Sequence, residues 1–366
     1  MSGAGPQPRL LDNPRLKWAL YCVVAVALVA LPFAVDATLG RAWVRIIDVA
    51  LLFIMLGLGL NIVVGYAGLL DLGYIAFFAV GAYCYSLLAS PQFDLHWSFL
   101  ALLPLAALVA AVFGVLIGAP TLRLRGDYLA IVTLGFGEIV RIFLNNLNRP
   151  VNITNGPQGI TLIDPLALGG VALNQTHTFA GLTLAPVHSY YFVFLACAVG
   201  SIFISLRLED SRIGRAWIAI REDELAASAM GINTRNVKLL AFAMGATFGG
   251  VAGGLFASFQ GFISPESFTL LDSVMVLCMV VLGGMGNVGG VVLGAALLTA
   301  LPEALRYAAP LQKNWLGDVY VDPSDLRMLL FGLALVLMML FRPAGLWPST
   351  TRRRELAGGD PAHAAR

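Results

Sequence analysis

The chain has 366 residues, 58% of them hydrophobic and 12% charged, and a formal net charge of +2; its mean hydropathy is +0.82. A soluble domain carries roughly twice that share of charge, and a disordered chain is poor in apolar residues, so both are excluded. The apolar runs are long and continuous rather than short and alternating, which excludes a transmembrane β-barrel and leaves an all-α, polytopic helical membrane protein.

About 20 mainly apolar residues cross a bilayer as a helix. Candidate spans lie near 17–35, 46–64, 66–89, 97–118, 128–147, 187–206, 236–262, 273–285, 288–308 and 326–342. The one near 273–285 is short. Only glycine-rich breaks separate 46–64 from 66–89 and 273–285 from 288–308, so the expected count is eight to ten. Residues 1–16 form a short arm, 17–348 the membrane domain, and 349–366 a basic, then Gly/Ala-rich tail. Trp18–Val35 lacks a convincing small-residue cleavage site and reads as a first membrane helix rather than a signal peptide.

Lys and Arg set the orientation. With the N-terminus inside, inner segments hold 16 basic residues, outer segments hold 6, and Arg141 lies within a span. Both termini are therefore expected in the cytoplasm. No basic stripe interleaved with aromatics appears, so no nucleic-acid partner is expected. Cys22, Cys84, Cys197 and Cys278 all fall inside spans without metal-ligand spacing and read as small buried hydrophobes. His96, His177, His188 and His363 are scattered over loops and the tail.

Between the fifth and sixth spans, residues 148–186 form a long outer segment that opens with the turn-rich run Asn152–Gly159. Long structured loops carry function more often than short ones, so a lid or docking surface is expected there. Two glycine-broken stretches, Gly57–Gly81 and Gly283–Gly294, each link two apolar helices. Glycine spacing alone leaves open whether they are parts of an internal repeat, close helix contacts, or backbone that lines a cavity.

Polar groups inside spans are costly and mark function or a pair. Glu138 and Arg141 are i,i+3 on one helix and read as a neutralising pair. Asp48, three residues after Arg45, reads as an interfacial pair. The candidates for lining a path are Asn61, Gly65, Gly68, Asp71, Gly73, Thr133, Glu138, Gln260 and Asn287.

The inner loop Leu206–Lys238 holds six basic and five acidic residues, a quarter of all the charge in the chain. Ile213, Trp217 and Ile220 recur at helical spacing. Asp223 is placed to cap a second short helix and Gly231 to end it. Asn233 or Thr234 then caps the next membrane helix. An interfacial helix favours Lys and Arg on its polar face, and Glu222-Asp223-Glu224 would be repelled by anionic lipid. The mixed signs suit a protein partner.

Ala226-Ala227, followed four residues later by Gly231, resembles the EAA-type loop of ABC importer permeases, with Leu225 at that pattern's acidic position and Glu224 one residue earlier. Longer stretches carry the resemblance further. They are GLGLNIVVGYAGLLDLGYIAFFAVGAY (57–83), LRLRGDYLAIVTLGFGEIVRI (122–142), ITNGPQGI (153–160), SRIGRAWIAIREDELAASAMGIN (211–233) and FRPAGLWP (341–348). Over roughly residues 45–348 the chain is similar to the branched-chain amino acid ABC transporter permeases of the M type.

The resemblance implies a type II importer fold in a bacterial inner membrane. It also implies three kinds of partner: a second, homologous permease, two ATP-binding subunits and a periplasmic binding protein. Residues 207–235 would then be the coupling loop, with Arg215, Trp217, Arg221, Glu224, Ala226, Ala227 and Gly231 as its ATPase-coupling residues. No G-x-x-x-x-G-K-[ST] loop is present, so ATP-Mg is expected in the partner ATPases and no cofactor on this chain. The cargo implied is Leu, Ile or Val; a urea or short-chain amide permease is the alternative. An ion-coupled carrier would rely on Asp71 and Glu138. A membrane enzyme lacks any supporting motif.

Overall fold

The computed structural model describes residues 14–122, 124, 126–168, 171–179 and 182–306, and beyond them only 329, 332–333, 336–338, 340–342 and 345–347. The tail at 349–366, most of the arm at 1–16 and about half of the span expected near 326–342 lie outside these.

The architecture is all-α. The helices are α1 (Pro14–Leu39), α2 (Arg41–Leu60), α3 (Ile75–Leu88), α4 (Phe99–Thr121), α5 (Asp127–Asn146), α6 (Pro186–Glu209), α7 (Arg212–Glu222), α8 (Glu224–Ala229), α9 (Thr234–Gln260), α10 (Leu270–Gly283) and α11 (Val288–Arg306). Helix α2 runs on without interruption into a π-helical turn, Asn61–Tyr66. Gly40, at φ +88°, ends α1 and lets the chain reverse into α2. Pro186 opens α6 at a position that needs no amide hydrogen, and a Thr269–Asp272 capping box opens α10.

Six helical stretches are long and apolar enough to cross a membrane among the described residues. They are Cys22–Leu39, Arg41–Tyr66, Phe99–Thr121, Pro186–Glu209, Thr234–Gln260 and Pro265–Gly283. Helices Ile75–Leu88 and Val288–Ala304 are apolar but shorter. The expected abutting spans 46–64 and 66–89 take a different form: one helix runs to Tyr66, and α3 begins only at Ile75. Fourteen residues rise about 21 Å, short of the roughly 30 Å hydrocarbon core, and the non-helical segment 67–74 precedes them.

Helix α9 is central, packed on α2, α3 and α4. Its GATFGGVAGG run lets backbones touch. A Cβ on Gly250 would lie 2.6 Å from the Ala106 carbonyl oxygen, and one on Gly253 would strike the Phe78 carbonyl. Helix α4 answers with Ala106, Ala110, Gly114 and Gly118, all buried at steps of four, while Leu100, Leu108 and Leu116 on its other side are exposed. Small residues inward and large apolar residues outward is the arrangement of a membrane helix, not of a water-soluble one. Helix α1 is mostly exposed over its described side chains, with Pro32 buried. Cys22 is exposed, contrary to the expected burial.

The segment 148–186 holds the only strands among the described residues apart from their one partner. Strand β1 (Ile160–Thr161) pairs antiparallel with β6 (Phe262–Ile263), just past the end of α9. Two small hairpins follow, β2 (Ala167–Leu168) with β3 (Val171–Ala172), and β4 (His177–Phe179) with β5 (Leu182–Leu184). The 24-residue α6 separates this end of the bundle from the end that carries α7 and α8.

Candidate functional site

At the α7–α8 end, local sequence dictates the shape. Ser211 caps α7, its Oγ accepting from the Gly214 amide at 3.0 Å. Asp223 caps α8, one carboxylate oxygen accepting from the amides of Leu225 and Ala226. Gly231, at φ +87°, closes α8. The Ile232 amide donates to Ala227 and the Gly231 amide to Ser228, the pair of bonds that defines a Schellman stop. Asn233 caps α9.

Three side chains fasten this pair to the membrane domain. Trp217 is fully buried, and its indole N–H donates to the Val237 carbonyl at 2.7 Å. Glu224 turns inward to pair with the buried Lys238 at 2.6 Å. Arg221 donates to the Gly65 carbonyl at 2.5 Å. Of the expected coupling residues, Trp217, Arg221, Glu224 and Ala227 therefore face the chain's own interior, while Arg215, Ala226 and Gly231 lie toward the surface. The inward stripe of α7 is Gly214, Trp217 and Ile220; Ile213 is exposed instead, because Gly214 is the residue that rests on the backbone of Leu208 and Glu209. Leu225 and Met230, 71% and 85% exposed, are the most exposed large apolar groups at this end. Neither is among the expected coupling residues, where Leu225 entered only as the residue at the pattern's acidic position.

The two glycine-broken stretches meet each other. Asn61 Oδ1 accepts from the Gly286 amide at 2.8 Å, and Gly65 lies so close to Asn61 and Gly286 that a Cβ there would strike both. Asn287 accepts from the Gly290 amide at 3.2 Å, a cap on α11. Gly68 turns the chain at φ +69° against the stem of Arg221. In the non-helical segment, Asp71 Oδ1 accepts from the Gly73 amide at 2.9 Å, while Oδ2 is buried without a hydrogen-bond partner. Thr133 of α5 accepts from the Leu72 amide at 3.0 Å. Gly73 packs directly on the α5 backbone at Thr133 and Gly137. Asn61, Asp71 and Thr133 are thus held in contacts inside the chain, each at most 2% exposed.

The remaining candidates are Glu138, one residue past the Gly137 contact and beside Leu72 and Ile75, and Gln260, at the far end of α9. Arg141 pairs with Glu138 as expected and also with Glu266 at 3.0 Å, a partner 125 residues away that no local pattern announces. Gln260 accepts from Arg45 at 2.9 Å, and the same guanidinium lies over the Phe259 ring. Arg45 is drawn there and not to Asp48, whose carboxylate is fully buried with no hydrogen-bond partner, against the pairing expected. His188 is likewise no loop residue. It lies in the first turn of α6, buried and stacked on Phe33. At the surface of this end, His96 sits between Asp164 and Asp94. The hydrogen bond to Asp164, then its charge, raises the imidazole above its ordinary value.

No solved structure matches the chain. It is 44% identical to the high-affinity branched-chain amino acid transport system permease protein LivM of Escherichia coli K12, over 95% of this chain and 79% of that one. It is 30% identical to the probable branched-chain amino acid transport permease protein LivM of Methanocaldococcus jannaschii, over 68% of each. It is 28% identical to the LivH permease of Escherichia coli K12, over 80% of this chain and 90% of that one. Residues 42–339 match the family described as branched-chain amino acid transport system, permease component. With a bundle of apolar helices, two interlocked glycine breaks and this extent of likeness, the chain belongs to that family of multi-pass membrane permeases.

Proposed function

We propose that the chain is one of two permease subunits of an ATP-driven importer of leucine, isoleucine and valine in a bacterial inner membrane, with both termini cytoplasmic. The observation that carries the reading is the α7–α8 end. A helix pair capped at each turn and bolted inward by Trp217 and Lys238 presents Leu225 and Met230 to a partner. Exposed apolar groups rimmed by charge, on a rigid mount, are what a docking surface for an ATP-binding subunit needs. The same end gathers the basic residues that mark the inner face. The likeness to both LivM and LivH supports a second, homologous permease that supplies the other half of the path.

A branched-chain amino acid is a zwitterion with an apolar side chain. It needs brief shielding of its charged ends and weak contacts, so that it can leave. Backbone amides at the interlocked breaks suit its carboxylate, and the surrounding Val and Phe side chains suit its apolar part. A periplasmic binding protein would deliver it at the end built from 148–186. ATP-Mg would act only in the partner subunits.

Co-purification with the co-encoded ATP-binding subunits and uptake of labelled leucine against labelled urea test the reading. Leucine uptake that needs ATP, and that falls for Gly231→Trp and Met230→Asp, is expected. Urea uptake, or leucine uptake indifferent to both changes, would contradict it. The buried carboxylates Asp48 and Asp71 favour a second reading, an ion-coupled carrier. Gradient-driven uptake by this chain alone in liposomes would support that one instead.

A further inference from the structure

We infer that Arg221 is the strut through which displacement of α7–α8 reaches the membrane domain, and that the π-helical turn Asn61–Tyr66 is the element it moves. The inference rests on the importer reading above and adds a mechanism inside the chain.

The contacts form one unbroken line. Arg221 leaves α7 and donates to the carbonyl of Gly65, 156 residues away, at the end of the π turn. Its stem lies along Gly68, where a Cβ would come within 2.7 Å of Cγ and 3.2 Å of Cβ. A second tie joins the same turn to the loop, the Tyr66 hydroxyl donating to Glu209 at 3.3 Å on the last residue of α6. At the start of the turn, Asn61 accepts from the Gly286 amide between α10 and α11. A push on Arg221 therefore bears on the end of α2, and through Asn61 on the second break.

Adjacency alone does not make a linkage; the moved element must have two arrangements. The turn supplies two signs of this. Its end is bonded in the wide register, the Ala67 amide to Ile62 at 3.2 Å, and such turns are rare and cluster at functional sites. Asn61 is 1% exposed, yet its amide nitrogen donates to nothing. An unsatisfied buried donor is costly in one state and has a partner to gain in another. Return of the turn to the α register would rotate the Gly65 carbonyl and Asn61 together. Gly65 and Gly68 leave no Cβ in the way.

The test uses the full complex, with both permeases, the ATP-binding subunits and the binding protein, in liposomes. Leucine uptake is read per ATP hydrolysed. Arg221→Ala is expected to lower that ratio about tenfold, the scale of one lost charge-assisted hydrogen bond, and Arg221→Lys to restore part of it. Asn61→Ala, remote from the ATPase, is expected to lower it too. A merely structural role would reduce the amount of assembled complex and leave the ratio intact, which would overturn the strut. If Arg221→Ala does not assemble, an unchanged ratio in Asn61→Ala overturns it equally. Failure of the unsubstituted complex to couple uptake to ATP would overturn the importer reading itself, and the strut with it.

Discussion

The two ends of the bundle are held together by different means. At the α7–α8 end, the shape is local: Ser211, Asp223 and Asn233 cap amides two or three residues on, and Gly231 closes a turn of six. At the other end, the segment 148–186 is held by the rest of the chain. Its strand pairs with Phe262–Ile263, Thr154 donates to Leu144, and the Asp164 carbonyl accepts from Tyr85 and lies 3.4 Å from Ser258. A locally determined unit keeps its form while its mount moves. A unit stitched to several helices moves only as they move. The first suits a lever and the second a fixed rim.

The sharpest way to break the lever is at its mount. Trp217→Ala removes a fully buried ring and its bond to Val237, and is expected to cost about 4 kcal/mol. Thermal unfolding in detergent would show it, with α7–α8 loosened first. Gly159→Val attacks the rim. Its φ of +72° excludes a β-branched residue, and a Cβ would strike the Ile263 carbonyl, for an expected cost of about 2 kcal/mol. Limited proteolysis should then cut within 148–186 and spare 207–235. Asp223→Ala removes only a cap, at about 1 kcal/mol, and should fray α8 without touching the rim.

The smallest effect is that of pH, and it is confined to the rim. His96 is raised by its bond to Asp164, so the contact contributes fully below the ordinary histidine value of about 6.5. It fades as pH rises through the raised value. The melting gap between wild type and His96→Gln should be widest below the ordinary histidine value of about 6.5 and narrow as pH rises through the raised one. A gap that grows with pH would mean the imidazole is held neutral there.

The same contrast decides what was legible in the sequence. The caps at Asp223 and Gly231 were readable because each acts within three residues of itself. The pair Glu138–Arg141 was readable for the same reason, and Glu266 was not. Arg45 illustrates the failure: spacing tied it to Asp48, but Gln260, brought alongside by folding, takes the guanidinium's hydrogen bond and leaves the carboxylate buried without one. The glycine runs announced two breaks, but the bond from Gly286 to Asn61 spans 225 residues, and nothing local encodes it. Of the seven expected coupling residues, four proved to face the chain's own interior. An amphipathic stripe marks what a helix packs against, and here that is α9 and the π turn rather than a partner.

One measurement bears most directly on the central claim, that energy enters through the α7–α8 end. Cysteines replace Met230 and, in a separate variant, the exposed Leu162 at the rim. Each is cross-linked in membranes that contain the co-expressed ATP-binding subunits. The account predicts a cross-link to those subunits from position 230, sensitive to ATP, and none from position 162. A cross-link from 162, or none from 230 in a complex that still transports leucine, would contradict it.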